Sequence, residues 1–248
     1  MIKIENVEIA GWEAAIRVLH SFNNPEEKSD SGTKYYFDEC ERKVIYRYTL
    51  GPNDKKLMMN LRYDRADYHE FTQMITVYLD ITAPSYWWKE FDACRVCTVA
   101  NPYSMMHQII GKEFTLEDFS CEHLLDVTTS TDSVKAVSGR LYNEAVYLNG
   151  IYRTSRGVFL NILKSLNHFR MLYLETKDKK YWWQMINLLP SSYNQKRTIM
   201  ISYESLANIY KNKHNHKLDE WCEFYKWVKS LPYSELITGE EKDNGYIK

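Results

Sequence analysis

Ala14, Ala15, Val18 and Leu19 recur at helical spacing and predict a short first helix over Glu13 to Leu19. Asn23 to Lys34 is rich in Asn, Glu, Ser and Asp and reads as an exposed loop. Lys43 to Leu50 alternates, is β-branched or aromatic, and reads as a strand ended by Gly51-Pro52. Phe71, Ile75, Val77, Leu79 and Ile81 predict a second strand, stopped by Pro84, which can open a helix at Ser85-Tyr86-Trp87-Trp88. The second half reads as mainly helical. Thr131-Asp132-Ser133 offers an N-cap for a helix running to about Leu148. A long amphipathic helix over Gly157 to Leu174 carries Phe159, Ile162, Leu163, Leu166, Phe169 and Leu172 on one stripe. A helix over Tyr181 to Leu188 precedes Pro190, Lys196 to Tyr203 reads as a strand, and helices over Glu204 to Tyr210 and Leu218 to Val228 follow. The expected fold class is α/β: one domain over 1–238, with a central mixed or antiparallel sheet flanked by helices, then a flexible tail over 239–248. No internal repeat and no linker argues for a second domain.

The chain has 248 residues, 44% hydrophobic and 26% charged, an ordinary globular balance that excludes general disorder. A net charge of −1 gives no sign of a broad nucleic-acid footprint. The outlying figure is 15% aromatic residues, including 20 Tyr and 7 Trp. Such rings build thick cores and interfaces, or stacking surfaces for bases and flavins, and composition does not separate these uses. No long apolar region follows Met1, no run is long enough for a membrane span, and the five cysteines are scattered, so a reduced, cytoplasmic protein is expected.

Gly-rich phosphate loops and a serine nucleophile elbow are absent, which leaves phosphate recognition to Arg, Lys and helix N-termini. Cys94 and Cys97 have CxxC spacing, but His107, Cys121 and His123 lie at no standard distance for the other half of a zinc site, and chance spacing is the preferred reading. His214-Asn215-His216 reads as a solvated turn.

Tyr86 to His107 carries the informative pattern. Setting Ser104 as a signature serine puts Asn101 in an Asn-x-x-Ser, with Cys94-Arg95-Val96 seven residues upstream. This layout resembles the flavin-dependent thymidylate synthases, whose signature is an Arg-His-Arg triplet at that spacing. Asn187-Leu188-Leu189-Pro190, the strand and helix after it, and Leu218 to Glu223 are similar to the family's C-terminal segments. The resemblance covers roughly Glu5 to Leu231.

It implies a pyrimidine nucleotide such as dUMP as ligand, FAD as cofactor, NADPH and a folate one-carbon donor if the enzyme is active, and a homotetramer. The family's frequency in bacteriophage genomes points to a phage-type relative. The departures are equally specific. Cys94 and Val96 stand where the triplet has arginines, and Glu223 or Phe224 stands where the C-terminal helix has one, so fixed bidentate cations are missing. Arg95, Lys196, Arg197, Lys211 and Lys213 are candidate substitutes, and Tyr193, Asn194 and Gln195 can read a base edge or form a polar turn. Arg95, Asn101, Ser104, Lys196 and Arg197 are therefore the expected nucleotide- or flavin-binding residues. No nucleophile or general base is identifiable. Two functions stay open: a flavin-assisted methyltransferase, and a catalytically inactive relative that binds or sequesters a nucleotide or acts through protein contacts.

Overall fold

The structure, a computed structural model, describes residues 2–23, 29–38, 40, 42–64, 70–94, 99–102, 109–125, 145–148, 151–213 and 216–239. Four strands, β1 (Lys3–Ala10), β4 (Thr76–Pro84), β8 (Asn194–Ser202) and β5 (Val99–Pro102), form one sheet in the order β1-β4-β8-β5. Two antiparallel hairpins stand beside it in the chain: β2 (Gly32–Asp38) with β3 (Lys43–Thr49), and β6 (Ala145–Leu148) with β7 (Ile151–Thr154). The helices are α1 (Trp12–Asn23), α2 (Pro52–Asp64), α3 (Glu70–Met74), α4 (Ser85–Cys94), α5 (Ser155–Thr176), α6 (Lys179–Leu188), α7 (Tyr203–Lys213), α8 (Asp219–Ser230) and α9 (Glu235–Thr238). This is the expected α/β class.

The described chain divides into two compact units. One consists of residues 82–89 and 102–196, and the other of residues 2–81, 90–101 and 197 onward. In the first, Ile109, Phe114, Phe119, Phe159, Leu166, Met185 and Tyr193 form a buried cluster on which the apolar stripe of α5 closes. Thr154 caps α5 by accepting from the Gly157 amide at 3.1 Å. Lys177, at φ 56°, ends the helix in the left-handed region, its N–H donating to the Tyr173 carbonyl.

The second unit holds β1 and most of β4, β5 and β8. Along β4 the side chains of Val77, Leu79, Ile81 and Ala83 alternate inward and are buried, as period-two spacing requires. Burying an aliphatic side chain of this kind contributes about 1.5–3 kcal/mol each. Gly11 joins β1 to α1 at φ 94°, and a Cβ there would meet the Met74 carbonyl oxygen at 1.9 Å, so this junction admits only glycine.

Several expectations are corrected. Phe71 is not in the strand: it lies on α3, buried, and β4 begins at Thr76. Phe71 and Ile75 are four apart, a spacing that serves a helix as readily as a strand. Ala145 to Leu148, read as the end of a helix, pairs with Ile151 to Thr154 instead. Gly32 to Lys34, read as loop, is the start of β2. Residues 126–144, with the expected N-cap at Thr131, lie outside the described residues. Among the described residues, no helix is long and apolar enough to cross a membrane.

Candidate functional site

The segment that carries the signature resemblance runs from α4 into β5, and of the expected binding residues Asn101, Lys196 and Arg197 can be placed. Arg95, Cys97 and Ser104 lie outside the described residues, as do His107 and His214. Asn101 is exposed on β5, the edge strand next to β8, so it and Arg197 occupy neighbouring strands. Lys196 and Arg197 are consecutive in β8 and leave it on opposite faces, so the two cations do not converge on one anion.

Arg197 meets Asp92 of α4, its Nη1 donating to both carboxylate oxygens at 3.1 and 3.0 Å. The guanidinium side chain is 14% exposed and the aspartate 35%, so the pair sits at the edge of solvent. Two residues earlier on α4, Glu90 accepts from Lys213 Nζ at 2.6 Å, with His216 Nε2 at 3.9 Å. The Lys213 hydrogen bond, reinforced by its charge, pulls the Glu90 carboxyl below the ordinary glutamate value. The same bond pushes Lys213 up, against the effect of its partial burial, and the Cys94 thiol adds to the rise. Lys213 also lies 5.8 Å above the Trp221 ring. The Leu218 N–H donates to His216 Nδ1, which leaves the proton on Nε2, toward Glu90.

Beneath these charges lies an aromatic floor. Trp221 and Phe224 on α8 and Phe91 on α4 are fully buried, with Phe91 stacked on Trp221 at 6.4 Å and edge-on to Phe224 at 6.2 Å. Tyr225 packs against Trp221, and burial pushes its phenol well above the ordinary value. The positions where the resemblance wants an arginine are therefore committed elsewhere. Phe224 is core, and the Glu223 carboxylate accepts from the Ile2 N–H at 3.1 Å, fixing the start of β1.

In the other unit, Tyr193, Asn194 and Gln195 are tied into a hydrogen-bond network. The Tyr193 carbonyl accepts from the Ser85 N–H and Oγ, Ser120 Oγ donates to Asn194 Oδ1, and Gln195 Nε2 donates to Ser85 Oγ. The Gln195 carbonyl takes the Trp88 indole N–H at 3.0 Å. These bonds seat the start of α4 and use the groups that were candidates for reading a base edge.

The described residues fit a flavin diphosphate poorly, because the cations nearest the signature segment already face Asp92 and Glu90. What the arrangement can do is exchange a carboxylate for another anion. A phosphate that displaced Asp92 would meet the Nη1 group that now bonds both carboxylate oxygens.

The fold defined by these elements is that of the flavin-dependent thymidylate synthases. The thymidylate synthase ThyX of Helicobacter pylori, solved with FAD and dUMP, is similar over 96% of this chain and 98% of its own, at 14% identity and a TM-score of 0.58. The UMP/dUMP methylase PolB of Streptomyces cacaoi, solved with 5-Br UMP, is similar over 96% of this chain and 94% of its own, at 12% identity and a TM-score of 0.51. No family model and no curated protein matches the chain.

Proposed function

We propose that this protein binds a pyrimidine nucleotide such as dUMP through the α4–β5 segment and Arg197, in the manner of a thymidylate synthase-like protein. The observation that supports the reading most is the likeness over nearly the whole chain to two proteins whose structures contain dUMP or 5-Br UMP. Asn101 and Arg197 on neighbouring strands, with Arg95 and Ser104 flanking β5 in sequence, form the binding set. Arg197 holds the phosphate after Asp92 gives way, and Asn101 supplies an amide for the sugar or base.

Two readings divide on turnover. Methyl transfer needs FAD to carry the redox chemistry, and no step through it follows from the residues described. The Asp92–Arg197 and Glu90–Lys213 pairs favour the other reading, a binder that holds the nucleotide without converting it.

Calorimetric titration with dUMP, together with an absorbance spectrum of the freshly purified protein, tests the proposal. Saturable dUMP binding that is weakened in Arg197→Ala supports it, and a protein indifferent to dUMP, UMP and dTMP overturns it. Visible flavin bands in the spectrum select the methyltransferase, and a colourless protein that still binds dUMP selects the binder.

A further inference from the structure

A second recessed site lies within the unit that holds most of the sheet. A cavity of about 720 Å³ is walled by Trp12 of α1, by Tyr36, Tyr46 and Tyr48 of the β2–β3 hairpin, and by Tyr233 before α9. It has the volume of an ordinary small-ligand site, and five of its twelve lining residues are aromatic.

The rings are set at angles to one another. Trp12 is edge-on to Tyr233, centroids 5.2 Å apart at 71°, and parallel to Tyr48 at 6.5 Å and 7°. An aromatic face carries the negative lobe of the ring quadrupole, so a cation among these rings is attracted to it. Its charged lining is one ion pair, Lys55 Nζ to Glu235 Oε1 at 2.5 Å, with Thr49 and Ser230 as further polar residues. Glu235 is 5% exposed and Lys55 40%, so the carboxylate is inside and the ammonium is at the mouth. Lys55 Nζ also stands 5.9 Å from the Tyr233 ring centre, so the chain's own ammonium already occupies one cation–π position of this site.

Carboxylates outside the cavity also act on its wall. Burial pushes the Tyr48 phenol up, and the carboxylates of Glu13 and Asp54 push it further. Asp54 is contacted by His20 Nε2 at 2.7 Å, and Glu13 accepts from Thr33 Oγ1 at 3.4 Å. Glu235 lines the cavity from α9 beside Lys55, while Glu13 and Asp54 act on the Tyr48 wall from α1 and α2.

Tyr233 is also conformationally unusual. Its φ of 51° lies in the left-handed region, where a bulky side chain is strained by about 1–3 kcal/mol. The Leu50 N–H donates to its hydroxyl at 2.8 Å, and the Trp12 edge and Lys55 hold the ring. Strain kept in place by surrounding contacts is typical of a site where a side chain's position matters.

We infer that this cavity binds an organic cation of the alkylammonium class, seated against Tyr46, Tyr48, Trp12 and Tyr233 with Glu235 as counter-ion. The ligand ammonium takes the place of Lys55 Nζ, which swings into solvent. A planar anion finds no free charge here, because the lysine is matched by a carboxylate more buried than itself. The source of the ammonium is either a free quaternary amine or a methylated lysine side chain of another protein.

The test is titration of the full chain, followed by tryptophan fluorescence and melting temperature, with choline, a trimethyl-lysine peptide and 3,3-dimethylbutan-1-ol. The last is the uncharged isostere of choline. Choline or the peptide should bind at least about tenfold more tightly than the neutral alcohol, as cation–π recognition requires. Preference for choline over the peptide identifies a free cation, and the reverse identifies a side-chain ligand. Tyr46→Ala, at an exposed position that leaves the fold intact, and Glu235→Gln should each weaken the charged ligand without changing the affinity for the alcohol. Equal binding of choline and its isostere overturns the inference, as does failure of both cations to bind. Neither result bears on dUMP binding, which Arg197→Ala reports separately.

Discussion

Within one compact unit, two regions are built on opposite terms. Around α4 and β8, Arg197 and Lys213 meet Asp92 and Glu90 at the edge of solvent, beside a buried aromatic floor. Around the β2–β3 hairpin, rings outnumber charges: Trp12, Tyr48 and Tyr233 crowd a cavity whose one internal carboxylate is Glu235. Exposed ion pairs contribute little to stability, about 0–1 kcal/mol, and exchange partners readily. Rings contribute area and shape and hold their positions. The first region is suited to swapping one anion for another, and the second to presenting fixed faces.

The largest effect separating the two is expected from the floor rather than from the charges. Trp221→Ala removes a fully buried ring that touches Phe91, Phe224 and Tyr225, and should cost about 3–5 kcal/mol of unfolding free energy in urea. A loss below that of an exposed substitution would show that the ion pairs do not rest on Trp221. Asp54 comes next. Burial pushes its carboxyl up, but hydrogen bonds from Ser29, Ser31 and His20 outweigh this and hold it below the ordinary aspartate value. A depressed carboxyl stabilises the fold above the unfolded-state pKa, and that contribution is lost as pH falls through the folded value. Asp54→Asn should therefore destabilise by about 1–3 kcal/mol at neutral pH and flatten the acid limb of a stability profile. An unchanged acid limb refutes the assignment. The smallest change is at the exchangeable pair. Asp92→Asn should shift stability by less than about 1 kcal/mol while tightening dUMP binding about tenfold, since Arg197 no longer has to leave a carboxylate. Weaker binding in that variant would mean that Asp92 orients Arg197 instead of competing with the phosphate.

The elements legible in the sequence are those whose burial has one period. Val77, Leu79 and Ile81 alternate, and the stripe of α5 repeats every three or four residues, so both announced themselves. β2 did not, because Lys34 to Phe37 are exposed on both faces and carry no alternation. α2 was hidden by Gly51-Pro52, which ends β3 and also supplies proline as the first helical residue, a role the dipeptide has no need to separate. The β6–β7 hairpin carries its signal in Asn149-Gly150, which stands between the paired Leu148 and Ile151 and is the dipeptide most favoured in two-residue hairpin loops. At the site, the missing arginines were legible, but the acids that engage their substitutes were not. Glu90 and Asp92 read as ordinary helix-surface charges, and only their positions opposite Lys213 and Arg197 give them meaning.

The first strand of the chain and its last helices depend on each other. The Ile2 N–H is bound by Glu223, the Leu50 N–H by the Tyr233 hydroxyl, and the Tyr203 hydroxyl donates to the Pro232 carbonyl. Ile2 and Leu50 are synthesised well before Glu223 and Tyr233. The amino-terminal strand and hairpin must therefore wait, without their closing bonds, until residues 223 to 233 have left the exit tunnel. Nascent chains arrested before that point should be digested by protease across the first fifty residues, and those arrested well after it should be protected there.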